Sequence, residues 1–154
     1  MVVRTSQDSI LKSETKQVVF AVSKEGINIL GFQTYIADNY WPGLARTDEL
    51  PYGSVISHKS GEIMFHGVVC YSIYSGFPDN QKEIIKLCFD NIPSGDKVVS
   101  ALPIGTQFFE RHCGADFKEI LEGIHSSEQH VELQTGLSMN KFAGDEPKQL
   151  KKVS

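Results

Sequence analysis

Sulfur chemistry is scarce in this chain: its three cysteines, Cys70, Cys88 and Cys113, are widely spaced and include no C-x-x-C pair. That spacing builds neither a disulfide framework nor a zinc knuckle, and it reads as reduced thiols in a cytoplasmic protein. Long apolar runs are missing too. No stretch approaches the roughly eighteen apolar residues of a membrane span, and Arg4, Gln7 and Asp8 interrupt the opening Met1 to Ile10. No membrane partner is expected. Positive charge is in deficit, with 15 Lys and Arg against 19 Asp and Glu for a net charge of −4. Nucleic acid is therefore not expected as a partner, since there is no excess of cations to track its backbone. His58, His66, His112, His125 and His130 form no H-E-x-x-H pattern, so the sequence calls for no metal, and no motif implies a cofactor. Six Pro and 13 Gly are scattered and no repeat is visible, which excludes fibrous and low-complexity classes.

What is present is a core. In 154 residues, 40% apolar content suffices for one domain without staples. Residues 1–136 are expected to form that domain. Residues 137–154, closing on Lys148-Gln149-Leu150-Lys151-Lys152, are expected to be a loosely held tail with solvated lysines.

Gln17 to Val22 is a near-continuous apolar run rich in β-branched residues, the pattern of a central strand buried on both faces. Phe32, Tyr35 and Ile36 then follow helical spacing, and that helix should end before Pro42. Ser54 to Ser57 and Glu62 to Tyr74 read as a hairpin turning at Lys59-Ser60-Gly61. Asn80 with Glu83 has capping-box spacing ahead of the stripe Ile84, Ile85, Cys88, Phe89 and Ile92. Lys97 to Leu102 reads as a second buried strand. Asp116 with Glu119 repeats the capping pattern before Phe117, Ile120, Leu121 and Ile124, and Val131-Glu132-Leu133 alternates like a final edge strand. Strands alternating with helices predict an α/β fold, a three-layer α/β/α sandwich with a central mixed sheet.

In such folds ligands sit at the carboxyl ends of the strands, where backbone N–H groups and helix N-termini face outward. Two loops qualify: Ser23 to Gln33 after the early strand, and Pro103-Ile104-Gly105-Thr106-Gln107-Phe108-Phe109 after the late one. Other features keep bland readings open. Asp8 also suits an N-cap or turn, and Lys59 beside Ser60-Gly61 suits a solvated turn lysine. The aromatics, Phe108 and Phe109 among them, suit core packing. His112 and Cys113 adjoin in an expected surface loop, where neighbours on the chain do not face one another as base and nucleophile.

The run Gln7-Asp8-Ser9-Ile10, the strand end Phe20-Ala21-Val22-Ser23, the loop Asn28-Ile29-Leu30-Gly31-Phe32-Gln33 and the late run Ser100-Ala101-Leu102-Pro103-Ile104-Gly105-Thr106 together resemble a macro domain. The likeness is greatest to the small branch containing hydrolases that release terminal ADP-ribose from acidic side chains, and it spans Asp8 to Gln134. It implies ADP-ribose, or a nucleotide derived from it, as the small-molecule partner. Asp8, with Ser9, would receive the adenine. Ile104, Gly105, Thr106, Gln107 and Gly31 would hold the diphosphate, with Ser23, Asn28 and Phe109 near the distal ribose and Phe108 or Phe109 stacking on a ring. Of that family's early glycines only Gly31 remains, and Gln107 replaces the second glycine of the late loop. The resemblance also implies an alternative, hydrolysis of ADP-ribosyl esters or of ADP-ribose phosphate. Lys59 falls near that branch's nucleophilic lysine, and Glu110 lies one residue beyond the position of its acid, where this chain has Phe109. A third reading is a degenerate fold serving protein contact, its site filled by Ile29 and Gln107.

Overall fold

The computed structural model describes residues 2–5, 16–27, 31–46, 48–93, 98–101, 110–111 and 113–135. Its strands are β1 (Val2–Thr5), β2 (Gln17–Ser23), β3 (Val55–Ser60), β4 (Ile63–Tyr71), β5 (Val98–Ala101) and β6 (Val131–Thr135). Helices α1 (Gly31–Asn39), α2 (Gln81–Asp90) and α3 (Phe117–Ser126) lie between them. The sheet order is β1-β6-β5-β2-β4-β3, parallel throughout except for β3, which runs antiparallel to β4.

The apolar run of β2 is explained by its place between β5 and β4, with a helix layer on each face. Its side chains alternate as a pleated strand requires. Val19 and Ala21 join Val68 and Cys70 of β4 beneath Ile85, Cys88 and Phe89 of α2 and Ile120 and Ile124 of α3. Val18, Phe20 and Val22 join Phe65 and Val69 on the opposite face, beneath Ile36 of α1 and the following Trp41 and Leu44. Burial of each large side chain contributes roughly 1.5–3 kcal/mol, so both layers are anchored through β2 and β4. The three-layer α/β arrangement with a mixed central sheet is the one the sequence predicts.

Local structure follows the sequence in some places and departs from it in others. Asp116 caps α3 as expected, its carboxylate accepting from the N–H groups of Lys118 (3.0 Å) and Glu119 (3.2 Å). Asn80 stands at the N-cap of α2, but its side chain makes no capping hydrogen bond. The start of α2 is instead tied by Gln81, which donates to the Gly114 carbonyl and accepts from the Asp116 N–H, both at 2.8 Å. The two helices then pack closely: a Cβ on Gly123 would lie 2.6 Å from the Lys82 carbonyl oxygen, so only glycine fits.

Three expectations need correction. The hairpin pairs Ser60 with Ile63, so the turn is Gly61-Glu62 and Lys59 belongs to β3, opposite Met64. β6 is not an edge strand, because β1 pairs alongside it from Val2↔Glu132 to Thr5↔Thr135. Cys113 is not on the surface; it is 7% exposed and packs with Cys70 and Cys88 in the core beneath α2 and α3. All three thiols are free, and burial pushes each one's pKa up, that of Cys88 to about 12. The expected tail, residues 137–154, lies outside the described residues.

Candidate functional site

Neighbouring strands open a crevice at their carboxyl ends when their connections leave to opposite faces of the sheet. β2 leads to α1 on one face, and its neighbour β5 leads to α3 on the other. The described pairing of the two runs from Val18↔Val99 to Phe20↔Ala101. One residue on, the Ala21 carbonyl accepts from the side-chain amide of Gln33 on α1.

Gln33 is 1% exposed and also donates to the Tyr71 hydroxyl at 2.9 Å. Tyr71 packs on the α2 and α3 side, with its ring stacked on Phe77 at 5.9 Å. The Gln33–Tyr71 hydrogen bond therefore links α1 to the α2 and α3 side at the carboxyl end of the sheet. Burial raises the Tyr71 pKa and keeps the phenol protonated. Gln33 and Tyr71 thus form a buried polar floor at this edge.

The other flank of β2 is closed. Its pairing with β4 continues to Ser23↔Tyr71, and the Lys24 N–H donates to the Tyr71 carbonyl at 2.9 Å. The Glu25 carboxylate accepts from the Ser72 hydroxyl at 2.6 Å and from the Ile73 N–H at 3.0 Å. Burial alone would raise the Glu25 pKa, but these hydrogen bonds outweigh it and hold the group below the usual carboxylate value. The β4 flank is thus occupied by backbone pairing, and the change in the direction of the connections lies on the β5 side.

The loop leaving β2 is built for a fixed path. The Ser23 hydroxyl donates to the Ile27 carbonyl and accepts from the Ile27 N–H, each at 3.1 Å, so it closes the loop on itself. Gly26 has φ of +79°, and a Cβ there would lie 2.7 Å from the Arg46 carbonyl oxygen. Arg46 reaches back through Nη2 to the carbonyls of Ser23 and Lys24, both at 3.3 Å. Lys24 pairs with Glu49 at 3.1 Å and lies 5.0 Å from the centre of the Tyr52 ring. Ile27 and Tyr74, 44% and 80% exposed, stand in the loops after β2 and β4.

Of the residues singled out by sequence, Ser23 lies at this edge and Gly31 begins α1, whose N-terminus follows the same loop. Asp8, Ser9, Asn28, Ile104, Gly105, Thr106, Gln107, Phe108 and Phe109 lie outside the described residues. Glu110 is exposed and helical. Lys59 lies away from Ser23, the described candidate that pairs with Tyr71. It faces Met64 at the start of β4, whereas the carboxyl edge is at Tyr71; at about 3.3 Å per residue the two ends are on the order of 20 Å apart. Sequence reading included Glu25 and Gln33 only as members of the loop Ser23 to Gln33, with no role of their own, and missed Tyr71 as part of the edge. Gln33 carried one signal, an amide one turn from the apolar Ile36 on the buried side of an expected helix. Among the described residues no group of three or more His, Cys, Asp or Glu converges to hold a metal, and no helix is long and apolar enough to cross a membrane.

A mixed six-stranded sheet between helix layers, whose central parallel strands connect to opposite faces, is the arrangement of a macro-type α/β fold, and solved structures share it. The macrodomain of Mycobacterium tuberculosis DarG matches with a TM-score of 0.64 at 12% identity, over 87% of this chain and 97% of that one. The alphavirus P23pro-zbd structure matches with a TM-score of 0.60 at 12% identity, over 99% of this chain. This chain spans 24% of the alphavirus chain's length. No protein-family model and no curated protein matches the sequence.

Proposed function

We propose that the protein binds ADP-ribose, or a nucleotide derived from it, in the crevice between the carboxyl ends of β2 and β5. The observation that carries this reading is the divergence of the two connections, α1 on one face and α3 on the other, above a floor of Gln33 and Tyr71. The macro-type fold and the sequence likeness of Asp8 to Gln134 support the choice of ligand. Asp8, beside Ser9, accepts the adenine amino group. The diphosphate lies on backbone N–H groups from Ile104 to Gln107 and on the start of α1 at Gly31, where the helix dipole favours anions despite the chain's net charge of −4. The distal ribose meets the loop that Ser23 closes, near Asn28, with Phe108 or Phe109 against a ring.

A binder is favoured over a hydrolase because Lys59 stands at the opposite edge of the sheet. Calorimetric titration of ADP-ribose should give saturable heat that weakens about tenfold or more in Asp8→Ala and is unchanged in Lys59→Ala. Absence of heat at millimolar ligand overturns the reading and leaves protein contact as the role of the fold. Release of ADP-ribose from glutamyl-linked substrate, lost in Glu110→Ala while binding persists, would instead establish the hydrolase.

A further inference from the structure

A second constellation lies at the amino edge of the sheet, away from the crevice. Ser57 on β3, His66 on β4 and Gln17 on β2 form a chain of side chains across three neighbouring strands. Ser57 Oγ is 2.7 Å from His66 Nδ1, and His66 Nε2 is 2.9 Å from Gln17 Oε1. An amide oxygen only accepts, so Nε2 carries the ring proton. Nδ1 then offers its lone pair, and the Ser57 hydroxyl donates to it.

The register explains the short contact. The Ser54 carbonyl accepts from the Val69 N–H at 2.9 Å, and the turn closes at Ser60↔Ile63. Both features make the even-numbered residues of β3 the hydrogen-bonded partners. Ser57 and His66 are thus a non-hydrogen-bonded pair, where facing side chains approach most closely. The same alternation turns the Ser57 N–H away from β4. Among the described strands β3 is the outermost on this side, so that N–H points outward from the sheet.

We propose that Ser57, His66 and Gln17 form a serine nucleophile site that accepts acyl groups from small carboxylic esters. Ser57 Oγ attacks the carbonyl carbon and passes its proton to His66 Nδ1, while the Ser57 N–H donates to the developing oxyanion. The C–O bond to the alcohol breaks, and the alcohol departs with the proton from Nδ1. Water then attacks the acyl-serine by the same route, releasing the acid and restoring the hydroxyl. Ser57 is exposed and reachable, whereas His66 is 1% exposed and held in place by its two partners. Burial depresses the His66 pKa to about 4, which keeps the imidazole unprotonated at neutral pH but makes it a weak base. Attack on the ester and hydrolysis of the acyl-serine should therefore both be slow, and an activated ester is the fitting probe.

The test is to mix the full chain with p-nitrophenyl acetate at neutral pH, follow the nitrophenolate release, and map the acetyl group by peptide mass. The expected result is acetyl on the peptide carrying Ser57, lost in Ser57→Ala and slowed about 100-fold in His66→Gln. Gln17→Glu should accelerate the release, because a carboxylate partner makes the imidazole more basic, an effect that simple packing would not produce. It also carries the test should His66→Gln fail to fold. Acetylation absent from Ser57, or a Ser57 rate unchanged in folded Gln17→Glu, overturns the proposal.

Discussion

The two faces of the sheet are built differently. Beneath α2 and α3 lies the larger apolar cluster, with Ile85, Phe89, Ile120 and Leu133 at 0% exposure, three thiols among them, and His66 and Gln81 buried at its margins. Beneath α1 the cluster is smaller, it leans on Trp41 and Leu44 from the following loop, and α1 is fixed by a buried amide reaching a strand carbonyl. A polar anchor gives direction where apolar packing gives mainly energy. The difference predicts that most of the stability lies on the α2 and α3 side, and that the α1 side sets the precision of the proposed crevice.

The strongest test of that division is Phe89→Ala. Emptying a fully buried aromatic site should cost about 3–5 kcal/mol, read as a lower urea midpoint with an unchanged slope. Ile36→Ala beneath α1 should cost less, because the cluster around it is smaller and bordered by half-buried residues that can relax into the space. Equal losses would break the comparison.

A smaller effect comes from His66, which belongs by strand alternation to the α2 and α3 face. The unfolded chain protonates this histidine near pH 6.5, and the folded chain only near 4. Between those values unfolding takes up a proton, so stability is full above about pH 6.5 and falls as the pH drops toward 4. The loss amounts to about 3 kcal/mol at most. Glu25, with its lowered pKa, also loses stability toward acid pH. Denaturant titrations of wild type and His66→Gln across this window separate the two: the histidine's share of the slope should vanish in the variant and the carboxylate's remain.

How much of this could be read beforehand depended on how local the cause was. The central strand showed in the sequence because burial on both faces demands an unbroken apolar run, and the α3 cap showed because Asp116 acts on the next three residues. β1 did not show. Val2–Thr5 is short, carries Arg4, and is made a strand by β6, which lies at the far end of the described chain. The placement of Lys59 followed turn composition, whereas the register of β3 against β4 moves the turn to Gly61-Glu62. Asn80 had the spacing of a capping box, but its side chain makes no cap and the role passes to Gln81 and its contacts near α3. The relay of Gln17, Ser57 and His66 left no motif, because it exists only once three strands are in register. The ligand edge was expected from the stretches after two apolar strands, of which the late one lies outside the described residues. The polar floor beneath it was not, since Gln33 and Tyr71 are 38 residues apart.

That floor supplies the finest test of the comparison. Gln33→Leu keeps the side chain's bulk and removes both donors, so the Ala21 carbonyl and the Tyr71 hydroxyl each lose this partner. The stability cost should be modest, about 1–2 kcal/mol, and below that of Phe89→Ala, because the sheet and the larger core remain intact. The ligand should feel the change more. With α1 free to shift against β2, the N–H groups at its start no longer hold one position over the crevice, and ADP-ribose affinity should fall about tenfold in calorimetry while the melting temperature drops only a few degrees. If the variant loses stability but binds as wild type does, the amide serves packing alone, and the α1 face holds the fold together in the same way as the other.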